Sequence, residues 1–406
     1  MIDLGIIRSN PDLIKSVCAR RGCDIDVDAF LTIDREYRNL LTELENLKAK
    51  QNKLGRNEAE QARLLKLEIG SLNQKKELLE KERDNIWHVI PNLLAEDVPD
   101  GKSDADNVVI KEWGVKPSFN YSPKNHEEIG EQLNILDTKR GAKVAKAGFY
   151  FWKNDGALLT WAVFNYAIDF LIKKGFTFFM TPIVGKDNTF FGTGYFPFFE
   201  GETFKIENEN LNLIGTSEQT LIAFHGEENL SILPLKYTAF SPCLRTEKGA
   251  YGKETRGIFR VHQFHKVEQI IFCKPEDSVF YHNYCLDIIE EFMQSLCIPY
   301  RIVNVCTGDL GAPAYKKYDL ESWFAGFGSY RETHSNSNLI DYQARRLNIR
   351  YKDKESGKNA FVNTISSTMV TDRTVLSILE NFQQEDGNVK VPDALKPYFP
   401  KEYLGK

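Results

Sequence analysis

Two short polar runs carry most of the chemistry in this chain. They are Cys243-Leu-Arg245-Thr246-Glu247 and Ile258-Phe-Arg260-Val-His262-Gln-Phe264-His-Lys266-Val-Glu268, and a Gly-rich loop at 248–257 separates them. In an extended chain side chains alternate between faces, so Arg245 and Glu247 share one side, and Arg260, His262, Phe264, Lys266 and Glu268 share another. Read as strand, polar loop and strand, the segment gathers several charges on one face of a sheet. Such a face calls for a polar ligand or for mutual pairing of its charges. Taken alone, an Arg-x-Glu pair also fits a surface hairpin decorated with ion pairs. The two common Gly-rich phosphate loops, GxxxxGK[ST] and GxGxxG, do not occur, so a nucleotide would have to bind by another route.

The elements that must position these residues fall into two halves. From about residue 109 to 406, β-rich runs at 206–214, 267–272 and 300–304 alternate with helical stretches at 158–174, 275–296 and 372–384. That alternation predicts an α+β domain built on an antiparallel sheet. Residues 1–108 read differently. Phe30, Ile33, Tyr37, Leu40, Leu44, Leu47 and Leu54 recur at three-four spacing, and a second seam follows at Leu65, Ile69, Leu72, Leu79, Ile86 and Ile90, with Lys76 and Arg83 in two apolar places. The two seams predict an antiparallel helical hairpin, a coiled-coil arm with limbs of about 35 to 45 Å. A structural or dimerising coil has the same pattern. Its bases (Arg35, Arg38, Lys48, Lys50, Lys53, Arg56, Arg63, Lys66) are interleaved with acids but gather towards the tip.

Composition narrows the class. At 406 residues, 42% hydrophobic and 27% charged, the chain is an ordinary globular one, which excludes disorder and fibrous repeats. A net charge of -5 argues against coating nucleic acid by bulk positive potential, so RNA contact must be local. Seven cysteines, with no Cys-x-x-Cys pair, predict reduced thiols and no zinc set. With no run of about 20 apolar residues and no cleavable leader pattern, the expectation is a soluble, cytoplasmic protein without a membrane partner.

The polar segment resembles motif 2 of the class II aminoacyl-tRNA synthetases, and the whole chain is similar to the seryl-tRNA synthetases. The likeness takes in the opening Ile7-Arg8-Ser-Asn-Pro-Asp, the hairpin, Asp97-Val-Pro, Gly192-Thr-Gly194-Tyr-Phe-Pro, Thr216-Ser-Glu218 and Gly308-Asp-Leu. It continues through Lys317-Tyr-Asp319-Leu-Glu321-Ser-Trp323 and Ser337-Asn338-Leu-Ile-Asp341-Tyr-Gln343-Ala-Arg345-Arg346 to Arg373-Thr and Glu380-Asn-Phe-Gln383. This resemblance implies an antiparallel sheet flanked by helices, a homodimer interface near 174–182, and ATP bent upon the sheet. It also implies formation of seryl-adenylate from L-serine and transfer to the 3′ end of tRNA(Ser), which the arm would grip.

By the same resemblance, Arg245, Glu332 and Arg373 carry catalysis. ATP would meet Arg245, Thr246, Glu247, Arg260, Phe264, Glu332, Thr333, His334, Ser335 and Arg373. Arg245 would hold the α-phosphate, a task suited to a fork that bonds two oxygens at once. Glu247 would accept from the adenine amino group, Phe264 would stack on the ring, and Arg373 would cover its other side or the γ-phosphate. Glu332 and Ser335 fall where the family binds Mg2+, which favours one or two carboxylates beside phosphate oxygens. Thr216, Ser217 and Glu218 would lie at the serine amino group, Arg245 close by, and Glu268 with Ser367 at its hydroxyl.

Some positions depart from the family pattern: Ser217 for alanine, His334 for serine, Asn336 for cysteine and Ile365 for asparagine. His334 either replaces a hydroxyl's contact or points away. The hairpin is shorter than the family's usual arm. Two other readings stay open, a paralogue that activates serine or another small amino acid for a different acceptor, and a catalytically dead tRNA-binding relative.

Overall fold

The computed structural model describes residues 1–55, 57–247 and 257–405, and the chain divides into two compact units, Met1–Leu93 and Leu94–Lys406. Arg56 and the loop at 248–256 lie outside the described residues.

The first unit is helical: α1 (Leu4–Ser9), α2 (Pro11–Arg20), α3 (Val27–Gln51) and α4 (Ala59–Trp87). Asn10 and Asp26 start α2 and α3 by accepting from the Leu13 and Ala29 amides, which satisfies donors the first turn leaves open. Tyr37, Leu40, Leu44 and Leu47 of α3 bury against Ile69 and Leu79 of α4, the seam expected from spacing. Phe30 joins a second cluster with Ile7, Ile14, Val27 and Ile90, while Leu54 lies beyond the end of α3. Arg83, in an apolar place of the seam, lays its guanidinium 4.3 Å from the centre of the Tyr37 ring and pairs with Asp84 at 2.7 Å. Its aliphatic stem fills the seam while the charge is satisfied at the edge.

The second unit carries an eight-stranded sheet: β1 (Val108–Trp113), β2 (Thr177–Met180), β3 (Leu235–Leu244), β4 (Gln263–Cys273), β5 (Tyr300–Asn304), β6 (Lys316–Phe324), β7 (Ser329–Ile340) and β8 (Asn363–Thr371). The order across the sheet is β1-β5-β6-β7-β8-β4-β3-β2. Neighbours run antiparallel except β2, which lies parallel to β3. Helix α5 (His126–Gln132) precedes three longer ones, α6 (Asn154–Lys173), α7 (Ser278–Ser295) and α8 (Asp372–Asn381). Leu159, Val163 and Phe164 of α6, Ile289 and Phe292 of α7 and Val375 and Ile378 of α8 pack on Val267, Ile271, Ile365 and Met369 of the sheet. Helix α6 is, among the described residues, the one long and apolar enough on composition to cross a membrane; these same side chains of it are buried in the core.

Three details differ from the expectations above. The strand expected at 206–214 reduces to Asn212–Leu213, because Glu207-Asn-Glu-Asn210 favours a turn and Asn208 takes φ 62°. The strand expected from Ile258 begins at Gln263, since Gly257 and Ile258 bond sideways to α5 rather than to a neighbouring strand. Residues 94–108 belong with the sheet unit, as Ala95 and Val98 pack on Val303, Val305 and Leu310.

Asp34 of α3, fully buried, accepts from Arg8 Nε at 2.8 Å and Nη2 at 2.7 Å and from Arg38 Nε at 3.0 Å. Burial pulls its carboxyl up, but the two guanidinium groups outweigh that and hold it below its ordinary value. A carboxyl whose folded pKa is depressed contributes stability above its unfolded pKa and loses it as pH falls through the folded one. Asp34→Ala should therefore destabilise the helical unit by about 2 kcal/mol at neutral pH, and the difference from the parent protein should shrink on acidification below the ordinary carboxylate range. Urea unfolding followed by circular dichroism at pH 7 and in acid checks both points, and a pH-independent difference would contradict the ion-pair account.

Candidate active site

Along β4 the two-residue period divides labour. Val267, Ile271 and Cys273 face the helices, while Phe264, Lys266 and Glu268 face the other way, opposite Cys243, Ser241 and Ala239 of β3. Glu268 is 1% exposed. Its Oε2 accepts from Thr216 Oγ1 at 2.8 Å and pairs with Lys266 Nζ, and its Oε1 accepts from Ser366 Oγ at 3.4 Å. Lys266 also donates to Thr216 Oγ1 at 3.3 Å. Burial pushes the Glu268 carboxyl above its ordinary value, with Lys266 opposing the shift. One residue before Thr216, the Gly215 carbonyl accepts from Arg245 Nε and Nη2, both at 3.3 Å, and the guanidinium lies 5.2 Å from the centre of the Phe264 ring.

A cleft over this face is lined by Arg245, Phe264, Lys266, Glu332, Ser335, Thr368 and Arg373. Glu247, at φ 52°, pairs with Arg260 at its mouth. Arg373 donates from Nη1 to the Glu332 carbonyl at 2.8 Å and to its Oε2 at 3.3 Å. Burial raises the Glu332 carboxyl, but Lys317 and Arg373 overcome that and keep it below its ordinary value. Thr246 turns from the cleft, its Oγ1 donating to the Gly201 carbonyl at 2.8 Å. Thr333 reaches the cleft wall but spends its hydroxyl on Ser322 and His334, both at 2.8 Å. Ser217 is buried, and its Oγ has no partner among the described residues.

Two expected site residues lie on the opposite face. His334 stands across from Leu320, a member of the main core, and burial drives its pKa down to about 3, so its ring is neutral and turned from the cleft. Ser367 pairs in register with Gln269 and accepts from Gln269 Nε2 at 3.5 Å. Alternation along β8 instead aims Ser366 and Thr368 at Glu268, Thr368 standing directly across from it. Sequence reading missed both, although they flank the residue it chose. It also gave no role to Gln343, whose Nε2 donates to Glu218 Oε1 at 2.8 Å while its Oε1 accepts from Thr364 at 2.8 Å. Nor did it single out Asp319, directly opposite Ser335 across the β6–β7 pair. Lys317 pairs with Asp319 Oδ2 at 2.9 Å, and its buried Oδ1 has no partner among the described residues.

Comparison with known proteins extends this geometry to the whole chain. Residues 1–94 match the Seryl-tRNA synthetase N-terminal domain, and residues 203–382 match the tRNA synthetase class II core domain (G, H, P, S and T). The chain is 42% identical over 417 residues to a serine–tRNA ligase of Dictyoglomus turgidum, covering 98% of each protein. It is 41% identical to that of Thermoplasma volcanium over the full length of both. Among solved structures, the seryl-tRNA synthetase of Pyrococcus horikoshii complexed with ATP superposes with a TM-score of 0.93 at 38% identity, covering 100% of this chain and 99% of that one. The cytoplasmic serine–tRNA ligase of Naegleria fowleri in complex with AMP gives 0.90 at 34%, covering 100% and 98%. With both units matched and relatives of about 40% identity covering the full length, the chain belongs to the seryl-tRNA synthetase family.

Proposed function

We propose that this protein activates L-serine with ATP and transfers the seryl group to the 3′ end of tRNA(Ser). The observation that carries the reading is the adjacency of Arg245, anchored on the Gly215 carbonyl, to the Thr216–Glu268 pair. It sets a phosphate-binding fork beside a buried carboxylate suited to a small hydroxylated substrate. A serine carboxylate oxygen attacks the α-phosphorus, the bond to the bridging oxygen breaks, and pyrophosphate leaves. A ribose hydroxyl of the tRNA end then attacks the adenylate carbonyl and releases AMP. Neither step needs a covalent enzyme intermediate; positioning and charge neutralisation suffice. Arg245 neutralises the α-phosphate, Phe264 and Arg373 hold the base between them, Glu218 takes the substrate ammonium, and Glu268 accepts from the substrate hydroxyl.

The donor set around Glu332 fits a magnesium ion. Glu332 and Ser335 both line the cleft, and the Asp319 Oδ1, across from Ser335, is buried without a partner among the described residues. Glu332 and Ser335, with Asp319 beside them, would hold the ion, which when bound neutralises phosphate charge. A homodimer is supported by the exposed apolar surface of Leu158, Trp161 and Ile172 on α6 and of Phe178 and Met180 on the edge strand β2. Cytoplasmic residence accords with seven free thiols. The helical hairpin is the element available to tRNA, with phosphate contacts from Lys48 to Lys66 adding salt-sensitive affinity.

Arg245→Ala should lower serine-dependent ATP–pyrophosphate exchange on the order of a hundredfold or more, the effect of losing one preorganised charge at a developing phosphate charge. Near-normal exchange by a folded variant would remove Arg245 from the reaction. For the amino acid, serine should be preferred over alanine by roughly a thousandfold or more, because without the hydroxyl Glu268 is left with an unused acceptor in a buried site. Ser366→Ala should narrow that preference and raise the KM for serine, and Ser367→Ala should do so far less; the reverse order would return the substrate contact to Ser367. Replacing 35–84 by a short Gly-Ser bridge should spare exchange and reduce tRNA charging, with a shallower salt dependence. Equal loss of both activities would make the hairpin a support for the catalytic fold.

A further inference from the structure

We infer that His126 is a positioning residue for the ATP side of the cleft: it fastens the chain at Gly257 and Ile258, and through this contact sets Phe259 and Arg373. The inference rests on the function proposed above and deepens it. His126 and Glu380 are each 0% exposed. The ring Nδ1 lies 2.7 Å from Glu380 Oε1, and a carboxylate only accepts, so Nδ1 carries the proton. Nε2 is then free to accept from the Ile258 amide at 3.2 Å. Beside it, Glu127 Oε2 accepts from the Gly257 amide at 3.1 Å. Gly257 adopts φ 66°, and a β-carbon there would stand 2.1 Å from His126 Nε2, so the close approach itself requires glycine.

The far side of this latch is braced. Glu380 also accepts from the His126 amide at 3.0 Å and the Gly326 amide at 2.9 Å, so the carboxylate holds the imidazole in one tautomer and one orientation. The residue after Ile258 is already cleft wall. The Phe259 carbonyl accepts from Arg373 Nε at 3.2 Å, and its ring lies 4.4 Å below the Arg373 guanidinium. Arg373 and Glu380 are both on α8, separated by about two turns. One rigid helix thus grips the 257–259 segment at both ends, directly through Arg373 and through His126 by way of Glu380. Stability alone does not call for this arrangement. Ile258, Phe259 and Val261 already pack on Phe324 and Leu376, and an apolar pair in place of a buried His–Glu pair is often as stable. What the polar pair adds is a fixed direction for a single backbone N–H.

The test uses the full-length protein and measures serine-dependent ATP–pyrophosphate exchange with ATP and serine varied separately, together with amide hydrogen exchange. His126→Asn keeps a donor towards Glu380 and cannot reach Ile258. It should raise the KM for ATP about tenfold, the scale of one lost buried hydrogen bond, with the KM for serine little changed. Its Gly257, Ile258 and Phe259 amides should exchange faster while those of β3 and β4 keep their protection. His126→Gln, whose carbonyl extends towards Ile258, should recover part of the ATP affinity. An unaltered KM for ATP, an equal rise for ATP and serine, or uniform loss of protection would overturn the inference. Should His126→Asn fail to fold, Gly257→Ala is read in the same way, and an unaltered KM for ATP there overturns it. Absence of serine-dependent exchange in the unsubstituted protein would strike at the proposed function, whereas normal ATP dependence in the variants would strike only at the latch.

Discussion

Glu268 is held inside a sheet by one ammonium and two hydroxyls, and most of the site follows from satisfying it. A carboxylate at that depth is costly unless its oxygens are bonded. Lys266 and Thr216 must therefore converge on it, which brings the 215–218 turn down onto β4. Gly215 comes with that turn, and its carbonyl is what orients the Arg245 fork. The pairing of Glu268 thus fixes the carboxylate end of the cleft and, through backbone continuity, the phosphate end as well. On the reverse of the same strand, Val267 and Ile271 weld the sheet to its helices, so the polar constellation sits on a rigid floor.

Much of this was legible in residue order because β4 obeys a simple period. Phe264, Lys266 and Glu268 fall at every second place, and the structure puts all three on one face. The hairpin was legible for a similar reason, since Leu40, Leu44 and Leu47 recur at the spacing of a helical seam. Alternation failed where neighbouring hydroxyls made the phase ambiguous. In Ser366-Ser367-Thr368 either phase of the strand offers a hydroxyl, and only pairing with Gln269 and Glu268 of β4 decides which points into the cleft. His334 was ambiguous in the same way, and its position opposite Leu320 resolves it.

For other members of the site the local pattern gave no role. Gln343 and His126 each lie among other polar residues of a short helix, and each acts across the sequence, Gln343 on Glu218 and His126 on Ile258 and Glu380. Nothing about their neighbours in the chain distinguishes them from ordinary helix residues. Gln343 and Asp319 both stood within quoted motifs, yet the contact of the one with Glu218 and the unpartnered oxygen of the other become visible only in the folded chain.

Arg83 has a consequence for the hairpin's length. A seam of leucines alone can slide by one heptad with little change in energy, because one apolar knob replaces another. Sliding here would carry the guanidinium from the Tyr37 ring to Leu44 or Phe30, and would separate the Tyr37 hydroxyl from the Glu80 carboxylate that accepts from it at 2.9 Å. A slide to Leu44 sets a buried charge against an aliphatic side chain, and a slide either way strands the Tyr37 hydroxyl; both are penalised, so a single register survives. The arm consequently behaves as a ruler rather than a zipper: the span from its base to its turn is a fixed measure, set by one cation on one phenol ring.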